Sequence, residues 1–233
     1  MKESKRLGVQ GMNKIECTKL RSFEEAVELI KDGDKIFISG FGNAGDPKQL
    51  IKALVESDKK ELTIISNDLG SPNIGLGQLL TKKKIKGLIG TYYNWNTEVA
   101  AAYNAGEITV ELIPQGSFAE GIRAAGVGSA GFYTKTAVGT ALAKGKETKE
   151  FNGETYLLQE AIRGDVALIC ADKADELGNL VYHKTARNFN PVMATAAQTV
   201  IAEVGEIVPA GDLDPESIIT PHIYVDAIVL RSC

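Results

Sequence analysis

A chain of 233 residues and 24.9 kDa is long enough for one large α/β domain or two small ones with a substantial core. Its 44% hydrophobic and 24% charged residues exclude a disordered chain. The formal charge of −4 and only 6% aromatics give no bulk attraction to nucleic acid or anionic membrane, and no broad stacking surface for single strands. Cys17, Cys170 and Cys233 are odd in number and far apart, and His183 and His222 are the only histidines. Neither a disulfide framework nor a metal-ligand spacing follows from them. The N-terminal stretch lacks the apolar run of a secretory signal, and no segment approaches the roughly 18 apolar residues of a spanning helix. The chain reads as soluble, reduced and cytoplasmic. Residues 1–19 read as a loose extension with Met12 as an alternative start, and 20–233 as one domain.

The elements follow in a regular order. Ser22 and Glu25 form a capping-box pattern ahead of Phe23, Ala26, Val27 and Ile30, which repeat at helical spacing. Lys35–Ile38 reads as a buried strand, followed by a glycine turn and a helix with Asp46 as N-cap and Pro47 at its first position. Leu62–Ile65 is the next strand, ending at Ser66-Asn67-Asp68. Gly87–Tyr92 suits a strand, Asn96 caps a helix through Ala105, and Ile108–Ile113 suits another strand. Ser117 and Glu120 repeat the capping-box pattern after Pro114-Gln115-Gly116. This alternation predicts an α/β fold with an open, mostly parallel sheet flanked by helices. Such sheets bind ligands at the carboxyl ends of their strands, so the segments to watch are Ser39–Gly45, Ser66–Gly70, Tyr92–Asn96 and Pro114–Ser117.

The second half is less regular. A smaller irregular or β lobe is expected within 126–160, with Asn152-Gly153 as a hairpin turn. Asp165–Cys170 and Leu180–His183 read as strands, Pro191–Thr199 as a helix, and Val200–Val204 and Ile223–Leu230 as further strands.

Gly40-Phe41-Gly42-Asn43-Ala44-Gly45 fits G-x-G-x-x-G between a strand and a helix, and Asp68 stands near the place of a ribose-binding acid. An NAD- or FAD-dependent oxidoreductase is therefore one reading. Against it, an amphipathic helix precedes the strand, and the following helix starts only after the last glycine. The bland alternative is a glycine turn that lets the backbone approach something closely.

The run Asp32 to Pro47 resembles the α-subunit signature of class I CoA-transferases, G-G-F-x-x-x-G-x-P, with Ser39 replacing the first glycine. Further blocks match in order: Ser66-Asn67-Asp68, Glu111 to Gly116, Glu120 to Gly126, Phe132-Tyr133-Thr134, and Ala186-Arg187-Asn188-Phe189-Asn190. The resemblance spans roughly residue 20 to the end. It implies an α chain that works with a CoA-transferase β subunit in an A2B2 assembly. The implied enzyme moves CoA between a short-chain acyl-CoA and a 3-oxo acid such as acetoacetate, through a glutamyl-CoA thioester on the β subunit. No metal and no resident cofactor is implied, since coenzyme A is itself a substrate, and neither nucleic acid nor membrane is an expected partner.

The resemblance assigns Gln115 as the donor to the oxyanion of the thioester carbonyl; on the residues alone it would be a glutamine bonding loop backbone. Gly40, Phe41, Gly42, Asn43, Ala44 and Gly45 are expected to line the substrate pocket, with Phe41 as an apolar wall or a buried anchor of the turn. Asn67 and Asp68 are expected beside them, although both residue types also favour plain Asx turns. Asn96 is a substrate-side residue by resemblance and a helix cap by chemistry. Trp95 is positioned to narrow the pocket. Lys82-Lys83-Lys84 reads as a solvated helix end rather than a phosphate clamp, Arg187 as structural or interfacial, and the cysteines as core or terminal residues. A non-catalytic binding member of the same fold is the remaining rival.

Overall fold

The computed structural model describes residues 17–232. Met12, Cys233 and nearly all of the expected N-terminal extension lie outside that range. Helix α1 (Phe23–Val27) begins at the expected capping box, Ser22 Oγ accepting from the Glu25 N–H at 3.1 Å and the Ser22 N–H donating to Glu25 Oε2 at 2.9 Å. Four βα steps follow: β1 (Lys35–Ile38), α2 (Lys48–Glu56), β2 (Leu62–Ser66), α3 (Gly77–Thr81), β3 (Ile85–Gly90), α4 (Thr97–Asn104), β4 (Thr109–Leu112) and α5 (Gln115–Gly126).

After α5 the chain makes a three-stranded antiparallel sheet, β5 (Gly131–Thr134), β6 (Thr148–Phe151) and β7 (Glu154–Glu160), in the order β5-β7-β6. Asn152 and Gly153, both at positive φ, turn β6 into β7 as expected. The chain then re-enters the main sheet with β8 (Gly164–Asp175), β9 (Leu180–Val181), α6 (Asn190–Ala194), β10 (Ala197–Val208) and β11 (Ala227–Leu230).

The main sheet runs β11-β10-β8-β1-β2-β3-β4, with every neighbouring pair on that path parallel; only β9 is antiparallel, against the end of β8. Alternate strand residues therefore feed two apolar layers. Ile36, Ile38, Ile64 and Leu168 meet α1 to α4 on one face. Phe37, Ile65, Ala167 and Ile169 meet α5 and α6 on the other.

Three local expectations are corrected. Ser117 does not cap α5: the Phe118 N–H already donates to Pro114 O at 2.8 Å, so the helix starts at Gln115 and buries Ser117 in its first turn. The helix expected over 191–199 stops at Ala194, because Ala197 and Thr199 pair with Gly164 and Val166 of β8; sheet pairing overrides the propensity of the alanine run. Asp46 does not cap α2 either. That helix starts at Lys48 behind Pro47, with no capping bond from the chain before it. No helix among the described residues is long and apolar enough to cross a membrane.

Candidate active site

The carboxyl ends of β1 and β2 lie side by side, and the loops leaving them fold onto each other. From β1 the chain turns through Gly40 (φ +125°) and Gly45 (φ +73°). A Cβ on Gly45 would stand 2.3 Å from Ala186 O and 2.6 Å from Asn188 Nδ2, so only glycine fits. Between them Phe41 and Ala44 bond to each other across a tight turn, at 3.1 and 3.3 Å. A second segment clamps this turn from outside. Asn188 Nδ2 donates to Ala44 O at 2.7 Å and Asn190 Nδ2 to Gly45 O at 3.0 Å, while Asn190 Oδ1 accepts from the Cys170 N–H at 2.6 Å. The Ala186-to-Asn190 block thus fixes the glycine loop to β8.

Asp68, just past β2, holds the loop from the other side. Its carboxylate accepts from the Gly42 N–H at 3.1 Å, the Gly70 N–H at 3.0 Å and Asn67 Nδ2 at 2.9 Å. Asn67 Oδ1 in turn accepts from Gln115 Nε2 at 2.8 Å and from Thr91 Oγ1 at 3.1 Å. Four strand ends are thereby wired in series: Gly42 after β1, Asn67 and Asp68 after β2, Thr91 after β3, and Gln115 at the start of α5. Gln115 is exposed and carries two N–H donors on Nε2. One is used on Asn67, so the other is left for an incoming oxygen.

Above this network lies a cavity of about 510 Å³. Of the expected residues, Gly40, Gly42, Asn43, Asn67 and Asp68 line it. Ala44 and Gly45 sit behind it against the clamp. Phe41 is neither a wall nor a buried anchor: it is 54% exposed. Gln115 stands beside the cavity, reached through Asn67. Asn96 belongs elsewhere. Its Oδ1 accepts from the Glu98 N–H at 3.1 Å as the cap of α4, and it borders a separate groove of about 520 Å³ with Tyr93, Tyr103 and Leu142. Trp95 does not narrow the cavity; it is 63% exposed and packs edge-on against Tyr92 at 5.4 Å.

Sequence reasoning missed Ser39, Asp46 and Lys48, and the wall formed by Ser71, Ile74 and Leu76. The signal for that wall was the turn-forming run Gly70-Ser71-Pro72-Asn73, just beyond the last strand-end residue watched. Asp46 is half-buried with its carboxyl raised above the ordinary value, chiefly by burial and further by the Asp68 charge, against the pull of Lys48.

The N-terminus of α2 is occupied by a side chain from the far half of the chain. Glu203 of β10, buried, accepts from the Gln49 N–H at 2.8 Å and the Leu50 N–H at 2.9 Å. Burial raises the Glu203 carboxyl as well, with these two donors opposing the rise. A dinucleotide pyrophosphate needs that helix end free, and both Asp68 oxygens are already engaged by N–H donors instead of a ribose hydroxyl. The geometry therefore works against the nucleotide reading of the glycine loop. Lys84 is also corrected: it is buried, donating to the Ser57 and Lys59 carbonyls, and its ammonium is lowered by burial. Cys170 is core, its thiol pushed up to about 11, mainly by burial. Among the described residues no three His, Cys, Asp or Glu side chains converge on a metal position.

The profile of the coenzyme A transferase family matches residues 20–231. The chain belongs to the coenzyme A transferase family. It is similar to the first of the two subunits of the probable succinyl-CoA:3-ketoacid coenzyme A transferase of Bacillus subtilis, at 51% identity over 91% of this chain and 89% of the relative. It is 40% identical to the alpha chain of the acetate CoA-transferase of Escherichia coli, over 91% of this chain and 97% of that one. The fold is that of an acyl-CoA transferase from Escherichia coli O157:H7 solved as a thioester complex with CoA. That match has a TM-score of 0.80 at 22% identity and covers 94% of this chain, which spans 47% of that longer chain. Within the CoA-transferase family the chain is of the α-subunit kind, and the oxidoreductase reading is not favoured.

Proposed function

We propose that this chain is the α subunit of a heteromeric CoA-transferase. Its reaction moves CoA between acetyl- or butyryl-CoA and a 3-oxo acid such as acetoacetate. The nucleophile is a glutamate on the partner β subunit, in an A2B2 assembly. The glutamate carboxylate attacks the acyl-CoA thioester, releasing CoA thiolate and leaving an acyl-glutamyl anhydride. The thiolate then attacks the glutamyl carbonyl, which frees the first acid and leaves a glutamyl-CoA thioester. The second acid reverses the two steps and departs as its CoA ester. No resident cofactor is needed, because CoA enters and leaves as substrate.

The observation that carries this reading is the hydrogen-bonded series Gln115–Asn67–Asp68–Gly42 at adjoining strand ends. Each attack places negative charge on a carbonyl oxygen, and a donor held in advance stabilises it without reorganising. The Asn67 contact fixes the Gln115 amide so that its nitrogen, not its oxygen, faces the open side. A neutral amide meets the oxyanion without holding the free carboxylate too tightly. That this chain spans about half of the longer Escherichia coli transferase also supports a second half supplied by another polypeptide. The test is to mix the chain with the β subunit encoded beside it and assay CoA transfer from acetyl-CoA or butyryl-CoA to acetoacetate. Activity from the mixture alone is expected, with a CoA adduct on one β-subunit glutamate in intact-mass analysis. A chain that transfers CoA unaided, or an adduct on this chain, would overturn the division of labour.

A further inference from the structure

Around the strand-end cavity almost every polar side chain with restricted solvent access is already committed. Asp68 accepts three N–H donors, Asn67 uses both ends of its amide, Ser39 Oγ donates to Gly45 O at 3.1 Å, and Ser66 Oγ donates to Asp68 O at 2.7 Å. Asp46 is the exception. Its Oδ1 is buried and has no hydrogen-bond partner, and Glu203 has taken the helix-capping task that its sequence position suggests. Lys48, the basic group on the lining, is exposed and forms no ion pair with Asp46 within 4 Å, so water screens its charge. Asp46 lies where no such screening reaches its buried oxygen.

We propose that Asp46 is a specificity residue, which admits acids with one carboxylate and rejects those with two. The proposal rests on the transferase reading above. The reacting carboxylate of the substrate must stay near Gln115 to meet the β-subunit glutamate, so the remainder of the acid extends over Asn67 into the cavity. A neutral tail with a keto or hydroxyl group exchanges a hydrogen bond with the unpartnered Asp46 oxygen. A second carboxylate there faces Asp46 across a water-poor space with no buried cation to offset it, and like charges so placed select against the wrong partner. Within the family, names such as succinyl-CoA:3-ketoacid transferase and acetate CoA-transferase occur among relatives of this chain. Asp46 sorts this chain toward monocarboxylic acids.

The test uses the reconstituted complex with acetyl-CoA as donor and compares kcat/KM for acetoacetate and succinate as acceptors. The wild type is expected to favour acetoacetate by roughly tenfold or more, and Asp46→Asn to shift the ratio toward succinate by a similar factor. Asp46→Ser serves as a second neutral variant, and the wild-type preference stands as a measurement even where a variant fails to fold. A wild type that uses both acids equally, or a ratio unmoved in a folded neutral variant, overturns the assignment while leaving the transferase intact. A complex that transfers CoA to neither acid defeats the transferase reading, and this inference with it.

Discussion

Two hollows of nearly equal size, about 510 and 520 Å³, differ in what converges on them. The strand-end cavity gathers loops from β1 and β2, and its polar groups are joined in one hydrogen-bonded series that reaches Gln115. The groove beside α4 is bordered by Val99, Tyr103, Val110 and Leu142, and its one buried amide, Asn96, serves the helix it caps. Volume does not separate the two; preorganised polar groups do. The difference also has a structural origin. A parallel sheet must open at the carboxyl ends of its strands where adjacent loops diverge, whereas the groove arises because β4 is an edge strand with nothing beyond it.

That contrast is sharpened most by Gln115→Ala. In the reconstituted complex kcat is expected to fall by about 10²–10³, as for loss of one oxyanion donor. A rate within a few-fold of wild type removes the role. Next comes Gly45→Ala, which drives a methyl group into Ala186 O and strains a left-handed position; a loss of about 2–3 kcal/mol is expected from urea unfolding. An unchanged midpoint would mean that the clamp from Asn188 and Asn190 is not rigid. Glu203→Ala leaves two N–H groups of α2 unpaired and is expected to cost about 1–3 kcal/mol by the same measurement. Smallest of all, Leu142→Ser in the groove is expected to leave kcat/KM within about twofold, since a half-exposed surface change away from the chemistry does little. A tenfold loss there would show that both hollows belong to one site.

Much of the sheet was readable because βαβ order, capping signals and turn residues agree locally. Ser22 and Glu25, Asn96, and Asn152-Gly153 each do what their chemistry dictates. Failures came where a distant partner decides. Asp46 and Pro47 look like a helix start, yet the cap comes from Glu203, 154 positions beyond Gln49. Pro191–Thr199 reads as helix until β8 claims Ala197 and Thr199 as pairing partners. For the site, the resemblance brought Gln115, Asn67 and Asp68 to one place, and the structure joins them by direct hydrogen bonds. The lone G-x-G-x-x-G pattern was silent on what the loop faces, because a glycine records close approach and not its object. Phe41 and Trp95 were misread for a related reason: an aromatic beside a strand end carries no sign of which way it turns.

The strand order β10-β8-β1-β2 interleaves the two halves of the chain. On the ribosome, β1 through β4 and their helices emerge long before β8, which ends at Asp175. Until then β1 presents a bare parallel edge, and Asn188, Asn190 and Glu203 have not yet arrived to hold the glycine loop and α2. Synthesis of this enzyme half therefore passes through a stage with an aggregation-prone sheet edge and no formed pocket. Chains stalled near residue 150 should be cut by protease in the glycine loop, whereas chains stalled beyond β10 with the exit tunnel cleared should resist.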